Sequence, residues 1–189
     1  MKKIILSLFD YSGNWPKYYR DSGNYDVYQV DIKLGLDILS IDPSELPQPI
    51  HGILAAPPCT DFAGSGAQYW AQKDSDGRTE ASLQLVDKTL EIIEYHKPQW
   101  WALENPVGRL AKLRPQLGKP WYFQPWWFGD AYTKKTGLWG TFNTDLPQSP
   151  VTPDPKSPIM QLGGKSERTK ELRSMTPLGF ALAFYLANP

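Results

Sequence analysis

The chain has one thiol, Cys59, and it follows two prolines in Ala56-Pro57-Pro58-Cys59-Thr60-Asp61-Phe62. Pyrrolidine rings fix φ and remove backbone donors, so this segment is stiff where it carries the thiol into a loop containing Gly64 and Gly66. A nucleophile is presented in this way, although a lone cysteine is as readily a buried, inert one. A second reactive group is Glu104, in Leu103-Glu104-Asn105-Pro106 after the apolar run Trp100-Trp101-Ala102. An acid at the end of a buried strand tends toward a raised pKa, which suits it to donate a proton; the alternative is a carboxylate capping the next helix. A third feature is the turn Phe9-Asp10-Tyr11-Ser12-Gly13-Asn14-Trp15. It has one glycine where a dinucleotide fingerprint has three, and Gly13 by itself reads as a left-handed turn residue.

These groups need elements to bring them together. Lys3–Phe9 is a short apolar run that enters a turn, the pattern of a buried strand, and residues 15–22 form a candidate short helix. Asp26–Asp31 and His51–Ala56 are two further strands, the second stopped by Pro57-Pro58. From Thr79 to His96, Leu83, Val86, Leu90 and Ile93 recur at helical spacing before Lys97-Pro98 ends the helix. Trp100–Leu103 is then a buried strand, Tyr122–Gly129 and Thr136–Phe142 read as a strand pair, and Pro177–Ala187 as an apolar closing helix. Strands alternating with helices predict an α/β domain with a mostly parallel sheet, whose ligands sit outside the carboxyl ends of the strands. Cys59 and Glu104, with one helix between them, then emerge on neighbouring strands at one sheet edge.

Composition narrows the functional classes. The 41% hydrophobic content of 189 residues is that of a globular chain, enough for one well-buried core. No run of roughly 18 apolar residues occurs, and the short apolar start ends at Asp10, so neither a membrane span nor a secretory signal is expected and the protein reads as cytoplasmic. One cysteine and two histidines exclude an internal disulfide and disfavour a zinc or iron–sulfur cluster. Twenty basic against twenty acidic side chains give zero formal charge, so a nucleic acid must be held by a local basic surface. Of the 18 prolines, Pro147, Pro150, Pro153, Pro155 and Pro158 crowd residues 147–158, which therefore read as a loop. A cysteine protease is disfavoured because His51 and His96 fall at the start of a strand and the end of a helix.

In combination, Pro57-Pro58-Cys59 and Glu104-Asn105-Pro106 after a Phe9-containing turn, with Lys134-Lys135-Thr136-Gly137-Leu138-Trp139-Gly140 and the tail Arg173-Ser174-Met175-Thr176-Pro177, resemble the ordered motifs of cytosine-5 DNA methyltransferases, above all the small phage and prophage members. The resemblance runs from residue 3 to the C-terminus. It implies a Rossmann-like S-adenosylmethionine-dependent methyltransferase fold with a mostly parallel sheet and a late strand pair. It further implies attack of the Cys59 thiolate on C6 of cytosine while Glu104 engages N3, so that C5 takes a methyl group from S-adenosylmethionine. The target cytosine must be flipped out or single-stranded, and a phage-encoded enzyme would act in the host cytoplasm.

For the cofactor, the resemblance places Phe9 against the adenine, Gly13 near the methionine part, Asp31 on the ribose hydroxyls, Asp37 near the adenine amine and Pro57 in the same pocket. Asn14 and Trp15 replace a second small pair, and Tyr11 stands where the first glycine of the turn is usual. Ser174 and Thr176 fall where the tail closes the pocket, without the usual glycine and asparagine. Aligned on Gly140, Lys135 and Thr133 take the places of two arginines that orient the flipped base and its phosphate. Lys135 keeps the charge and loses the planar fork.

Between Gly140 and Arg173, where family members carry a target-recognition domain, the sequence is mostly proline-rich. A single catalytic domain over 1–189 is expected, with 147–165 as a loop. DNA contact then falls to Arg109, Lys112, Arg114 and Lys119, in a segment free of acids, to Lys134, and to Lys165, Arg168, Lys170 and Arg173 near the tail. Trp70 and Trp15 are candidate site walls. Two alternatives stay open: a cytosine transferase using RNA or a modified methyl donor, and a silent fold that binds DNA or cofactor only.

Overall fold

The computed structural model describes residues 2–162 and 166–189. Its strands are β1 (Lys3–Leu8), β2 (Tyr25–Val30), β3 (Ile50–Ala55), β4 (Trp100–Pro106), β5 (Trp121–Phe123) and β6 (Thr136–Thr141). The helices are α1 (Lys17–Asp21), α2 (Trp70–Ser75), α3 (Arg78–His96), α4 (Leu110–Leu113), α5 (Pro158–Gln161), α6 (Glu167–Ser174) and α7 (Leu178–Ala187). The strands form one sheet in the order β2-β1-β3-β4-β6-β5. β1 to β4 run parallel, and β6 returns antiparallel between β4 and β5. The expected α/β sheet with a late antiparallel pair is therefore present.

Both faces of the sheet are covered, which is why its central strands read as continuous apolar runs. Alternate side chains of each strand go to opposite faces. Leu6, Leu8, Ile53, Ala55 and Leu103 pack with Leu83, Val86, Ile92 and Ile93 of α3. Ile5, Leu54, Trp100 and Ala102 pack on the other side with Trp15, Tyr19 and the α7 residues Phe180 and Phe184. α3 stops at Lys97, whose φ of 46° is left-handed, and Pro98 cannot continue the helix.

The expected strand over Tyr122–Gly129 is shorter. Pro125 has no N–H for the ladder and starts a 3-10 turn, Pro125–Phe128, which folds Phe128 back onto the core. The proline-rich stretch has no regular element up to Ser157, yet it is tied down: Ser149 N–H donates to Trp127 O at 3.0 Å, Val151 N–H to Trp126 O at 2.9 Å and Asp154 N–H to Ala131 O at 2.8 Å. α5 begins inside the expected loop, with Pro158 in its first turn where the missing donor costs nothing. α6 was not expected from the sequence. No helix among the described residues is long and apolar enough to cross a membrane.

The chain leaves β1 on one side to form β2, then crosses back to place β3 on the other side. That reversal opens a crevice beyond the carboxyl ends of β1 and β3, the place where such sheets bind ligands.

Candidate active site

The turn after β1 is built on Asp10. Its carboxylate is buried and accepts from Gly13 N–H at 3.0 Å, Ser12 Oγ at 2.5 Å and Trp15 N–H at 3.0 Å. Phe9, just before it, has φ 62°, a conformation that a non-glycine residue adopts at some cost and that concentrates at functional sites. Gly13 has φ 65°, a left-handed conformation that favours glycine. Asn14 Nδ2 donates to Thr176 O at 3.3 Å, which ties the tail to the turn. Ser174 is exposed and its hydroxyl donates to Glu171 O within its own helix. Trp15 corrects the sequence reading: it is fully buried against Phe180 and Phe184 at 6.0 and 5.7 Å, so its side chain belongs to the core and walls no site.

After β2, Asp31 and Asp37 each cap a 3-10 turn, accepting from Lys33 N–H at 2.8 Å and Leu39 N–H at 3.0 Å. Asp31 is buried and uses only Oδ1 for the cap, leaving Oδ2 for a hydroxyl donor such as a ribose. Asp37 is exposed. Pro57 is buried at the end of β3. Tyr11, which is 54% exposed, lies under the Lys33 ammonium at 5.4 Å from its ring centroid. Phe9, Asp31 and Pro57 thus follow β1, β2 and β3 at the carboxyl edge of the sheet, where an aromatic ring, a carboxylate oxygen outside the cap and an apolar ring could hold a nucleoside-bearing cofactor.

Cys59 and Glu104 come from adjacent strands, since Ala55 of β3 pairs with Leu103 of β4. Asn105, fully buried, links the two segments by donating from Nδ2 to Pro57 O at 3.1 Å, and its Oδ1 has no partner among the described residues. Burial pushes the Glu104 carboxyl up; Lys134, with Nζ at 3.9 Å, pulls it back, and Asp10 adds to the rise. Burial also pushes the Cys59 thiol up, reinforced by Glu104 and opposed by Lys134. Thiol, acid and ammonium therefore lie close enough to act on one another's charge.

Here the structure sets Lys134 and not Lys135 beside Glu104. Lys134, assigned to DNA, faces Glu104; Lys135, assigned to the base, is exposed and lies over the Tyr122 ring at 4.6 Å. Consecutive residues of an extended segment point to opposite sides, so an alignment error of one residue reverses the pair. Thr133 is exposed, with Oγ1 3.6 Å from Met160 Sδ. Tyr132, given no role from the sequence, is buried beside this space. Its phenol is pushed up by burial, by Asp130 and by Glu104.

The acid-free segment is not a free basic surface. Arg109 is buried: its guanidinium makes two 2.8 Å bonds to Asp74, one to Thr79 Oγ1, and one from Nε to Asp61 O at 3.1 Å. Trp70 lies over that guanidinium at 4.8 Å. Arg114 is forked onto Asp87 of α3 with two 2.6 Å bonds. Both are engaged by acids that come from other elements. Lys112, Lys119, Arg168 and Arg173 are exposed, while Lys165 lies outside the described residues. His51 and His96 bond backbone oxygens of Pro189 and Pro43; His51 begins β3, at the end opposite Cys59.

A family model for C-5 cytosine-specific DNA methylases matches residues 11–116. Among solved structures, one described as a DNA modification methyltransferase encoded within an E. coli prophage is 18% identical over 88% of this chain, with a TM-score of 0.53. This chain covers 56% of that protein. A human methyltransferase 10 domain containing protein is 15% identical, over 75% of this chain and 72% of its own, with a TM-score of 0.36. No curated protein matches significantly.

Proposed function

Because the chain belongs to the C-5 cytosine-specific DNA methylase family, we propose that it methylates C5 of a DNA cytosine with S-adenosylmethionine, through a covalent bond between Cys59 and C6. The observation that carries this reading is the convergence of Cys59, Glu104 and Lys134 at the adjacent ends of β3 and β4.

The chemistry needs those groups. The ring carbon C5 is a poor nucleophile until a bond to C6 turns the ring into an enamine. Cys59 supplies the electron pair for the C6–S bond, and Glu104, held toward its protonated form by burial, delivers a proton to N3. Lys134 stabilises the thiolate that attacks, since its charge favours the ionised form of Cys59. S-adenosylmethionine, when bound, supplies the electrophilic methyl group. Phe9, Asp31 and Pro57 would hold it, with Asn14 and Thr176 joining the turn to the tail at its edge. A solvent base takes the C5 proton, departure of Cys59 as a thiolate restores the aromatic ring, and N3 returns its proton to Glu104. The base must be outside the helical stack for any of this. Exposed Lys112, Lys119 and Arg168 are the phosphate contacts we assign, within a single catalytic unit.

The test is incubation with labelled S-adenosylmethionine and DNA of varied sequence, followed by nucleoside mass analysis. 5-Methylcytosine, with covalent trapping on 5-fluorocytosine DNA, is the expected result; label on adenine, or none, would end this reading.

A further inference from the structure

The prolines that stiffen the approach to Cys59 also deprive it of ladder bonds: after Ala56 N–H donates to Leu8 O at 3.0 Å, Pro57 and Pro58 have no N–H to give. The loop beyond the thiol is held from its carbonyl side. Cys59 O accepts from Phe62 N–H at 3.0 Å and Ala63 N–H at 2.9 Å, Thr60 O from Lys73 Nζ at 2.5 Å, Asp61 O from Arg109 Nε at 3.1 Å, and Phe62 O from Arg109 N–H at 2.9 Å. Four consecutive carbonyls are thus occupied, two of them by buried cations. The Asp61 carboxylate sits between Lys73 Nζ at 3.1 Å and Ser82 Oγ at 2.5 Å, and the Lys73 side chain is only 8% exposed. Arg109 is locked in turn by Asp74, Thr79 and Trp70. On the far side, Gly64 N–H donates to Val107 O at 2.8 Å, and a Cβ on Gly108 would fall 1.9 Å from Phe62 O. The thiol loop and the loop after Glu104 are bridged into one piece.

We propose that Lys73 and Arg109 are positioning residues for Cys59: two buried cations from different elements that hold the Thr60 and Asp61 peptides so that the thiol stays in its attack geometry. Apolar packing could bury this loop, and Phe62 does so. Only a donor aimed at a carbonyl fixes the rotation of the peptide next to the nucleophile, and charge-assisted bonds are the stronger and more directional ones. Lys73 bonds both the carbonyl of one residue and the carboxylate of the next, and so determines the register of the turn as well as its depth.

The proposal rests on the methyltransferase reading for its kinetic arm and is independent of it for its structural arm. Lys73→Met removes the donor to Thr60 and leaves Asp61 buried; should it not fold, Asp61→Asn/Lys73→Met removes the same donor without leaving an unpaired acid. In either variant, kcat should fall about tenfold to a hundredfold, as expected for a small misplacement of a reacting atom, while KM for DNA and for S-adenosylmethionine stays within about threefold of wild type. Amide hydrogen exchange in residues 60–63 should rise while that in β1 and α7 is unchanged. Unchanged exchange at 60–63 in a folded variant overturns the proposal whether or not the wild-type protein transfers methyl groups. So does a KM that rises in step with a preserved kcat.

Discussion

The two sides of the crevice are held by different means. On the Cys59 side, residues 59–64 are fixed by a buried ion pair, Asp61 with Lys73, and by the buried Arg109 guanidinium, which a half-exposed Asp74 holds from the surface. On the β2 side, the short turns after the strand are fixed by local aspartate caps, and the connection to the tail helix α6 is an exposed ion pair between Lys33 and Glu171. Removing one partner of a buried pair is costly because a charge is stranded, about 3–5 kcal/mol, whereas an exposed pair contributes about 0–1 kcal/mol. Under the proposed chemistry, the side that places a sulfur atom against a ring carbon is the one that cannot shift cheaply, and the side assigned to the cofactor is held by bonds that can be remade.

The sharpest way to break this comparison is at the thiol. Cys59→Ser should abolish both transfer and trapping on 5-fluorocytosine DNA with the melting temperature unchanged; full activity would remove the mechanism. Next in size, Glu104→Gln should slow single-turnover transfer by on the order of a hundredfold or more, with cofactor affinity intact. The Glu104 charge raises the Cys59 pKa, so the same variant should move the pH midpoint of Cys59 alkylation by iodoacetamide downward, and an upward shift would mean that the two groups do not share a site.

Lys134→Met should reduce transfer by about tenfold to a hundredfold. It should also shift the alkylation midpoint upward, because Lys134 lowers both the Cys59 and the Glu104 pKa. Lys135→Met should do neither, and a larger loss at Lys135 would restore the assignment made from sequence. On the opposite side of the crevice, Asp31→Asn should weaken S-adenosylmethionine binding by about tenfold, the worth of a hydrogen bond to a charged acceptor, and leave alkylation of Cys59 unchanged. Isothermal titration checks the first and alkylation kinetics the second. The smallest effect is expected at Lys33→Ala, less than about 1 kcal/mol of stability by denaturant titration, vanishing with added salt. A loss as large as a buried pair's would erase the contrast between the two sides.

What could be read without coordinates depended on the range of each signal. Strand identity came from apolar runs, the long helix from its 3.6-residue period and the late strand pair from two runs separated by a glycine-bearing turn; these are local patterns, and the sheet order that follows brought Cys59 and Glu104 to one edge as expected. Boundaries failed where a single residue outweighed a pattern, as at Pro125. The side chain of Trp15 was misplaced for a different reason: its apolar partners, Phe180 and Phe184, are more than 160 positions away in the chain.

By itself the sequence determined the fold class and the placing of its one thiol and of Glu104 beyond neighbouring strands, because strand order and strand-end position follow from local periodicity and from the rule that parallel sheets bind at their carboxyl edge. Only the tertiary structure decided what each cation does. Arg109 and Arg114 lie in a run with no acidic neighbour, and both are occupied by aspartates of α2 and α3; Lys134 and Lys135 are adjacent in the chain and face different partners. A charge is felt through space over several ångströms and has no periodicity along the chain, so its partner is fixed by which elements meet and cannot be read from which residues are consecutive.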